Sequence, residues 1–347
     1  VVRAGKFKGA VEPYTRNNLS PENKEQIQVY INSVFGETLK KISASRSITE
    51  EKLKKDADEL ELRTVKDFIA NNYIDAAVYR DQFYSNMKKR MGVKDTKKVP
   101  LISEQKYAKT LGLRGEGKDR IAVVYATGDI VGGKGDGSQI AADDMAATLK
   151  KVREDDDIKA VVFRIDSRGG SSLASDIIWR EAKLLAAEKP LIVSMGDVAA
   201  SGGYYIAAPA RKIVAEPTTI TGSIGVFGLI PNAQKLLNDK LGVNFEYIGT
   251  GEHSDIGRID RNMTADERAY IEQVIDKIYD TFLSRVSEGR KMTKEQVNEI
   301  AQGRVWTGIM AKEVGLVDEL GGLEKAIEIA AAEADLKEYK LKEYPKM

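Results

Sequence analysis

The 347-residue chain contains no cysteine and a single histidine, His253. The first absence removes disulfides, thiol nucleophiles and zinc-thiolate sites together, and it fits a reducing or an oxidising compartment equally. The second rules out a histidine-rich metal centre and leaves a Ser-His-Asp triad only one imidazole to use. An excess of one charge is also missing: 54 Lys and Arg stand against 53 Asp and Glu, so no overall field favours nucleic acid or an anionic membrane. No run approaches the ~18 apolar residues of a membrane span, and the opening residues do not read as a secretory signal. The chain starts Val1-Val2-Arg3 and not with Met, so a processed or truncated chain is expected.

What is present is an ordinary globular composition, 42% hydrophobic and 31% charged, long enough for two or three domains. Its most informative large-scale feature is an internal repeat. Asn18-Leu19-Ser20 aligns with Asn262-Met263-Thr264, Ile27 with Ile271, Leu39 with Leu283, and Arg46-Ser47-Ile48-Thr49-Glu50-Glu51 with Arg290-Lys291-Met292-Thr293-Lys294-Glu295. Further on, Tyr73-Ile74-Asp75 echoes Leu316-Val317-Asp318. Apolar positions recur at helical spacing in both copies, which predicts the same helical unit twice. Nothing before Val1 corresponds to the strand-rich region Asp119 to Tyr247, so the chain reads as one full unit preceded by the tail of another.

Residues Met87 to Gly117 are rich in lysine and glycine and read as a linker. The middle region then alternates. Strands are predicted at Ile121 to Ala126, Ala160 to Ile165, Leu191 to Met195, Lys212 to Ala215 and Asn244 to Ile248. Helices are predicted at Ala141 to Val152, Leu173 to Ala187, Gly203 to Ala208 and near Asn232 to Leu241. This alternation implies an α/β layer with parallel strands.

Three loops carry candidate chemistry. Ser201, in Ala199-Ala200-Ser201-Gly202-Gly203-Tyr204-Tyr205, follows one strand and opens a helix, a placement that lifts a hydroxyl clear of the backbone; a serine N-cap is the plain alternative. Asp166-Ser167-Arg168-Gly169-Gly170 follows another strand, and its paired glycines let main-chain amides face a ligand, or simply make a tight turn. Thr221-Gly222-Ser223-Ile224-Gly225 is a third hydroxyl flanked by glycines. The three converge only if their strands are neighbours. A fourth loop, Gly128 to Gly135, nearly spells a phosphate-binding loop but carries Gly135 where a magnesium-binding hydroxyl belongs, so it reads as a glycine loop. The acidic run Glu154 to Asp157 reads as a solvated helix end without metal-ligand spacing.

A serine nucleophile needs a base, either His253 or a lysine kept neutral by burial. Lys8, in Gly5-Lys6-Phe7-Lys8-Gly9-Ala10, occupies the part of the first copy that corresponds to Gly251-Glu252-His253-Ser254-Asp255 in the second. Its equivalent is Ser254, so only one copy has the lysine.

Taken together, Asp166 to Gly170, Met195 to Tyr205 and Thr221 to Gly225 resemble the signal peptide peptidase A, or protease IV, family in its tandem form, a relative of Clp protease and the crotonase fold. The likeness runs from Val1 to about Leu323, and Gly5 to Pro13 matches the family's Gly-Lys-aromatic-Lys stretch followed by Ala-Val-Glu-Pro. It implies an α/β, crotonase/Clp-protease-like core of repeated ββα units with flanking helices, here the second half of a tandem duplication plus the helical tail of the first. It further implies Ser201 as nucleophile, Lys8 as general base, Ser223 as a partner of the lysine amine, and the amides of Gly202 and Gly170 as oxyanion donors. An apolar substrate groove is expected, with Val226 and Phe227 as its walls. Arg168 stands where the family usually has proline, which would stiffen that loop.

The resulting expectation is a serine endopeptidase with a Ser-Lys dyad that cleaves hydrophobic peptides such as released signal peptides, without metal or organic cofactor. By resemblance it is a homo-oligomer, a tetramer, with no nucleic-acid partner. It would be held at the bacterial inner membrane by an anchor missing from this chain, its catalytic part on the periplasmic side. The expected divisions are 1–86 (helical tail carrying the lysine), 87–118 (crossover), 119–248 (α/β core) and 249–347 (second helical part). Lys8 lies close to the chain end, where fraying is expected. Rival readings are a non-catalytic peptide-binding scaffold and a crotonase-like acyl-CoA enzyme.

Overall fold

The computed structural model describes residues 1–94, 97–110 and 117–345. Contacts group the chain into two compact units, Val1–Ile31 with Glu116–Met347 and, separately, Asn32–Gly115.

The larger unit is built on a mixed sheet. Its central strands are Arg120–Thr127, Ile158–Ser167 and Leu191–Ala200, side by side and parallel. They are apolar on both faces, as strands covered on both sides must be. The two-residue alternation divides them cleanly: Ala122, Val124, Val161, Phe163, Leu191 and Val193 join the main core, while Ile121, Val123, Val162 and Ile192 face the helix Leu323–Glu333 through its Ala326, Ile327 and Ala330. On the main-core side the sheet is covered by the helices Ala142–Glu154 and Ser172–Glu188. Lys340–Tyr344 adds a parallel strand beside Arg120–Thr127.

At the other edge the strand Leu191–Ala200 is shared. Its first half, Ile192 to Ser194, pairs with Lys212–Ala215, and its last three residues, Val198 to Ala200, pair with Ile220–Gly222. That fork makes the ends of Ile158–Ser167, Leu191–Ala200 and Ile220–Gly222 neighbours, so the three candidate loops emerge together. This is the α/β, Clp-protease/crotonase-like architecture expected from the sequence.

Outside this sheet, Val2–Ala4 pairs antiparallel with Val226–Gly228, Arg3 opposite Phe227. Val2, Ala4 and Ile275 form a small core of their own, with Val226, Ile271 and Tyr279 packed against it. The first residues are therefore fixed by strand pairing and burial and not frayed.

The repeat is structural as well as sequential. Pro21–Arg46 and Ala265–Arg290 are both 26-residue helices in matched register, and each is followed by a threonine-capped helix, Glu50–Asp58 after Thr49 and Lys294–Ile300 after Thr293. Even an ion pair recurs: Arg46 with Asp75 at 3.0 Å and Arg290 with Asp318 at 2.9 Å.

Two expectations fail. Asn244 to Ile248 forms no strand: Phe245, Tyr247 and Ile248 are exposed, and no strand in the described residues lies alongside to accept the hydrogen bonds that a strand requires. The helix expected near Asn232 to Leu241 shrinks to one wide turn, Lys235–Lys240, with Leu236 and Leu241 exposed and so without the packing that stabilises a short helix. The segment Met87 to Gly117, expected as linker, includes the end of the helix Arg80–Met91 and the helix Glu104–Thr110; residues 95–96 and 111–116 lie outside the described residues.

Candidate functional site

Ser201 falls between the strand Leu191–Ala200 and the helix Gly202–Ala207 with no connecting residue to spare. The chain reverses direction within it, at φ 55° and ψ −119°, a conformation that a non-glycine residue adopts only at a cost of about 1–3 kcal/mol. Its backbone is pinned on both sides, the N–H donating to the Gly222 carbonyl at 2.9 Å and the carbonyl accepting from Tyr205 at 2.9 Å. The strained turn projects the hydroxyl out of the main chain.

That hydroxyl meets Lys8. The Lys8 Nζ lies 3.1 Å from Ser201 Oγ, 3.0 Å from Ser223 Oγ and 2.9 Å from the Ser223 carbonyl oxygen. Only 5% of Lys8 is exposed. Burial disfavours its ammonium and lowers the pKa from 10.5 to about 8. A neutral amine has two N–H groups and one lone pair. The two acceptors on Ser223 take the N–H groups, which leaves the lone pair for the Ser201 hydroxyl. Ser223, also at positive φ (49°), is fixed by its N–H to the Arg304 carbonyl at 2.7 Å.

The glycine loop after Ile158–Ser167 closes over the same point. A Cβ on Gly169 would lie 2.5 Å from the Gly202 nitrogen, and one on Gly202 would lie 3.2 Å from the Gly170 nitrogen. Among the described residues neither the Gly170 nor the Gly202 N–H donates to another backbone group. Two unspent amides beside a serine hydroxyl are suited to hold an anionic oxygen. The loop is held by the Gly128 to Gly135 segment: Ile130 donates to the Gly169 carbonyl at 2.9 Å, and its own carbonyl accepts from Ser171 at 2.9 Å. That segment is thus a brace for the Gly169-Gly170 turn. Arg168 is 80% exposed with its guanidinium 3.5 Å from Asp129, outside the contacts that fix the glycines.

A groove of about 450 Å³ opens beside Ser201 and Gly202, lined by Gly170, Val226, Phe227, Tyr205, Ile278 and Phe282 among others. Val226 and Phe227 were expected there; the helix Ala265–Arg290, which supplies Ile275, Ile278 and Phe282, was not. Their spacing marked a buried helix face, but nothing in the sequence says what that face covers. His253 is half exposed, with Nδ1 4.0 Å from Glu267 Oε1, and is not a hydrogen-bond partner of Ser201. Among the described residues no cluster of His, Asp or Glu could hold a metal ion.

Fold and loops define an α/β protein of the Clp/crotonase class with a serine-lysine pair at the strand-to-helix turn. The chain belongs to peptidase family S49, whose model matches residues 1–94 and 183–337. The two matched stretches end 243 residues apart, close to the repeat spacing. The chain is 38% identical to the chloroplastic serine protease SPPA of Arabidopsis thaliana over 97% of its own length and 50% of that protein's. It is 35% identical to Protease 4 of Salmonella typhi (99% and 56%) and 34% identical to Protease 4 of Haemophilus influenzae (94% and 55%). The chain thus spans about half the length of these relatives. Among the described residues no helix is long and apolar enough to cross a membrane.

Proposed function

We propose that the protein is a serine endopeptidase in which Ser201 is the nucleophile and Lys8 the general base. Neutral Lys8 takes the Ser201 proton as Oγ attacks a peptide carbonyl. The developing oxyanion is received by the Gly170 and Gly202 amides, and the Lys8 ammonium then returns the proton to the leaving amine. Water, deprotonated by the same amine, releases the acyl group from Ser201. Ser223 holds the amine in line throughout.

The observation that carries this reading is the approach of a buried, pKa-lowered lysine to 3.1 Å from a serine hydroxyl on a strained turn. It weighs against the scaffold reading, which expects no competent base, and against the acyl-CoA reading, in which the serine is incidental. The substrates are hydrophobic peptides, released signal peptides among them, seated in the groove of Val226, Phe227, Ile278 and Phe282. Assembly as a homo-oligomer, a tetramer, and attachment to the bacterial inner membrane with the site facing the periplasm belong to the same proposal and rest on the family resemblance. The test is labelling with a fluorophosphonate: Ser201 is modified in the native protein and unreactive after Lys8→Ala. Hydrolysis of apolar peptides at the native rate by Lys8→Ala would sink the dyad.

A further inference from the structure

Beyond the residues that touch Ser201 lies a buried polar cluster on the far side of Lys8. The turn after the lysine, Gly9–Tyr14, carries Glu12, a carboxylate only 3% exposed. Its Oε2 accepts from the Ser20 N–H at 3.0 Å and from Asn23 Nδ2 at 2.9 Å. Arg3 Nη1 approaches Glu12 Oε1 at 3.5 Å and donates to the Lys8 carbonyl at 3.3 Å. Asn23 Oδ1 accepts from Gln26 Nε2 at 2.8 Å, and the same Nε2 donates to the Phe7 carbonyl at 2.8 Å, while Gln26 Oε1 accepts from the Val305 N–H at 3.3 Å. Burial opposes the Glu12 charge, but the hydrogen bonds from Ser20, Asn23 and Arg3 outweigh it and hold the carboxyl at about 2. The carbonyls before and after the Lys8 nitrogen, those of Phe7 and Lys8, are therefore both held by side chains of this cluster.

The second copy of the repeat supplies an internal control. There Thr264 caps its helix and the carboxylate that takes the Thr264 N–H at 2.9 Å is Glu267, at the position matching Asn23. In the lysine-bearing copy that carboxylate comes instead from Glu12, which frees the matching position to be the amide Asn23. Gln26 likewise matches Tyr270, which is exposed. Capping alone does not require the exchange, since Glu267 achieves it without outside help. What the exchange adds is a continuous chain of hydrogen bonds from a helix terminus to the backbone of the lysine.

Resting on the dyad reading above, we propose that Glu12, Asn23 and Gln26 are positioning residues for the base: they fix the Phe7-Lys8 main chain so that Nζ is delivered, dehydrated, to Ser201. Gln26 is the decisive link, because among the described residues its side chain alone hydrogen-bonds both the Phe7 carbonyl and the strand Val305–Thr307. A merely structural role lowers stability and the fraction of native protein but leaves each native site unchanged. A positioning role changes the site itself.

The experiment compares Gln26→Met, which keeps shape and removes the three side-chain hydrogen bonds, to Phe7, Asn23 and Val305, with Glu12→Gln, which keeps shape and removes the charge. Activity per native molecule is followed against pH with an apolar peptide, and thermal unfolding is recorded alongside. The expected result for Gln26→Met is a fall in kcat of tenfold or more with KM within about twofold and a pH midpoint moved upward, as a loosened lysine gains water. Glu12→Gln, which still offers one acceptor oxygen, is expected to show the same changes to a smaller extent. Gln26→Glu, which retains the acceptor for Val305 but not the donor to Phe7, is expected to behave like Gln26→Met. If both Gln26 variants lose only thermal stability while kcat and the pH midpoint stay at native values, the positioning role is overturned. Lys8→Ala in the same assay separates the two levels. An active Lys8→Ala removes the dyad itself, whereas an inactive one beside unaltered Gln26 variants removes only the inference drawn from the cluster.

Discussion

Lys8 and Ser201 stand 193 residues apart in sequence, and their Nζ and Oγ atoms 3.1 Å apart in space. They are joined by the pairing of Val2–Ala4 with Val226–Gly228 and by close backbone contact: a Cβ on Gly303 would lie 2.8 Å from the Lys8 nitrogen. The lysine therefore belongs to the same compact unit as the serine although the repeat assigns it to the other copy.

The rate should follow the neutral fraction of Lys8. With a pKa lowered to about 8, roughly a tenth of the amine is neutral at pH 7, so kcat/KM rises with pH and levels off above about 9. An imidazole base would level off one to two pH units lower, near its ordinary range. Measuring kcat/KM from pH 5.5 to 10 distinguishes them, and a plateau already reached at pH 7 would count against Lys8.

The same shift has a consequence for stability. In the unfolded chain Lys8 titrates near 10.5, in the native protein near 8, so between these values the native state binds fewer protons than the unfolded one. Native stability therefore gains as pH rises through this window, and the burden of the buried amine is present in full below about pH 8. Lys8→Met removes the titration. The stability difference between native protein and variant should move by about 3 kcal/mol in favour of the native protein from pH 7 to pH 10.5. Urea unfolding at several pH values reads this directly, and a difference that does not vary with pH would contradict the lowered pKa.

The sequence made parts of this arrangement legible and hid others, for physical reasons. Ser201 and the glycine loops could be found because a strand that ends in small residues and passes at once into a helix has few geometries available. Their convergence could not, since it depends on Leu191–Ala200 splitting its pairing between Lys212–Ala215 and Ile220–Gly222. Lys8 became visible only through the mismatch between copies and the family resemblance, because a lysine in a glycine-rich turn gives no sign of being buried. Asn244 to Ile248 was misread because aromatic and β-branched residues mark fitness for a sheet, and no strand among the described residues stands beside them. Asn23 and Gln26 carry no signal, being in sequence ordinary polar residues of a helix, and Glu12 stands out only as a member of the Ala10-Val11-Glu12-Pro13 run, with nothing to say what its carboxylate holds.

Gly170→Ala tests the oxyanion donors without touching the dyad. An added Cβ would fall 2.1 Å from the Ile130 carbonyl oxygen, so the loop must shift and carry the Gly170 amide with it. Loss of one such donor costs about 10²–10³ in kcat. Because Lys8 is untouched, the pH midpoint of kcat/KM should stay where it is. A variant within about threefold of native kcat would show that this amide does not face the reacting carbonyl.

Ile278 offers the cleanest probe of the groove, since it lines the cavity and is only partly buried, whereas Phe282 and Ile275 also belong to the cores beneath. Ile278→Ala removes apolar wall without deleting a core anchor. Loss of a few methylene contacts in a pocket is worth about 1–3 kcal/mol of discrimination. Peptides with large aliphatic side chains at the cleaved position should therefore lose tenfold or more in kcat/KM, while those with alanine there change little. A uniform loss across both peptide series would mean that Ile278 supports the fold and not the choice of substrate, and would shift the groove assignment toward Val226 and Phe227 on the opposite strand.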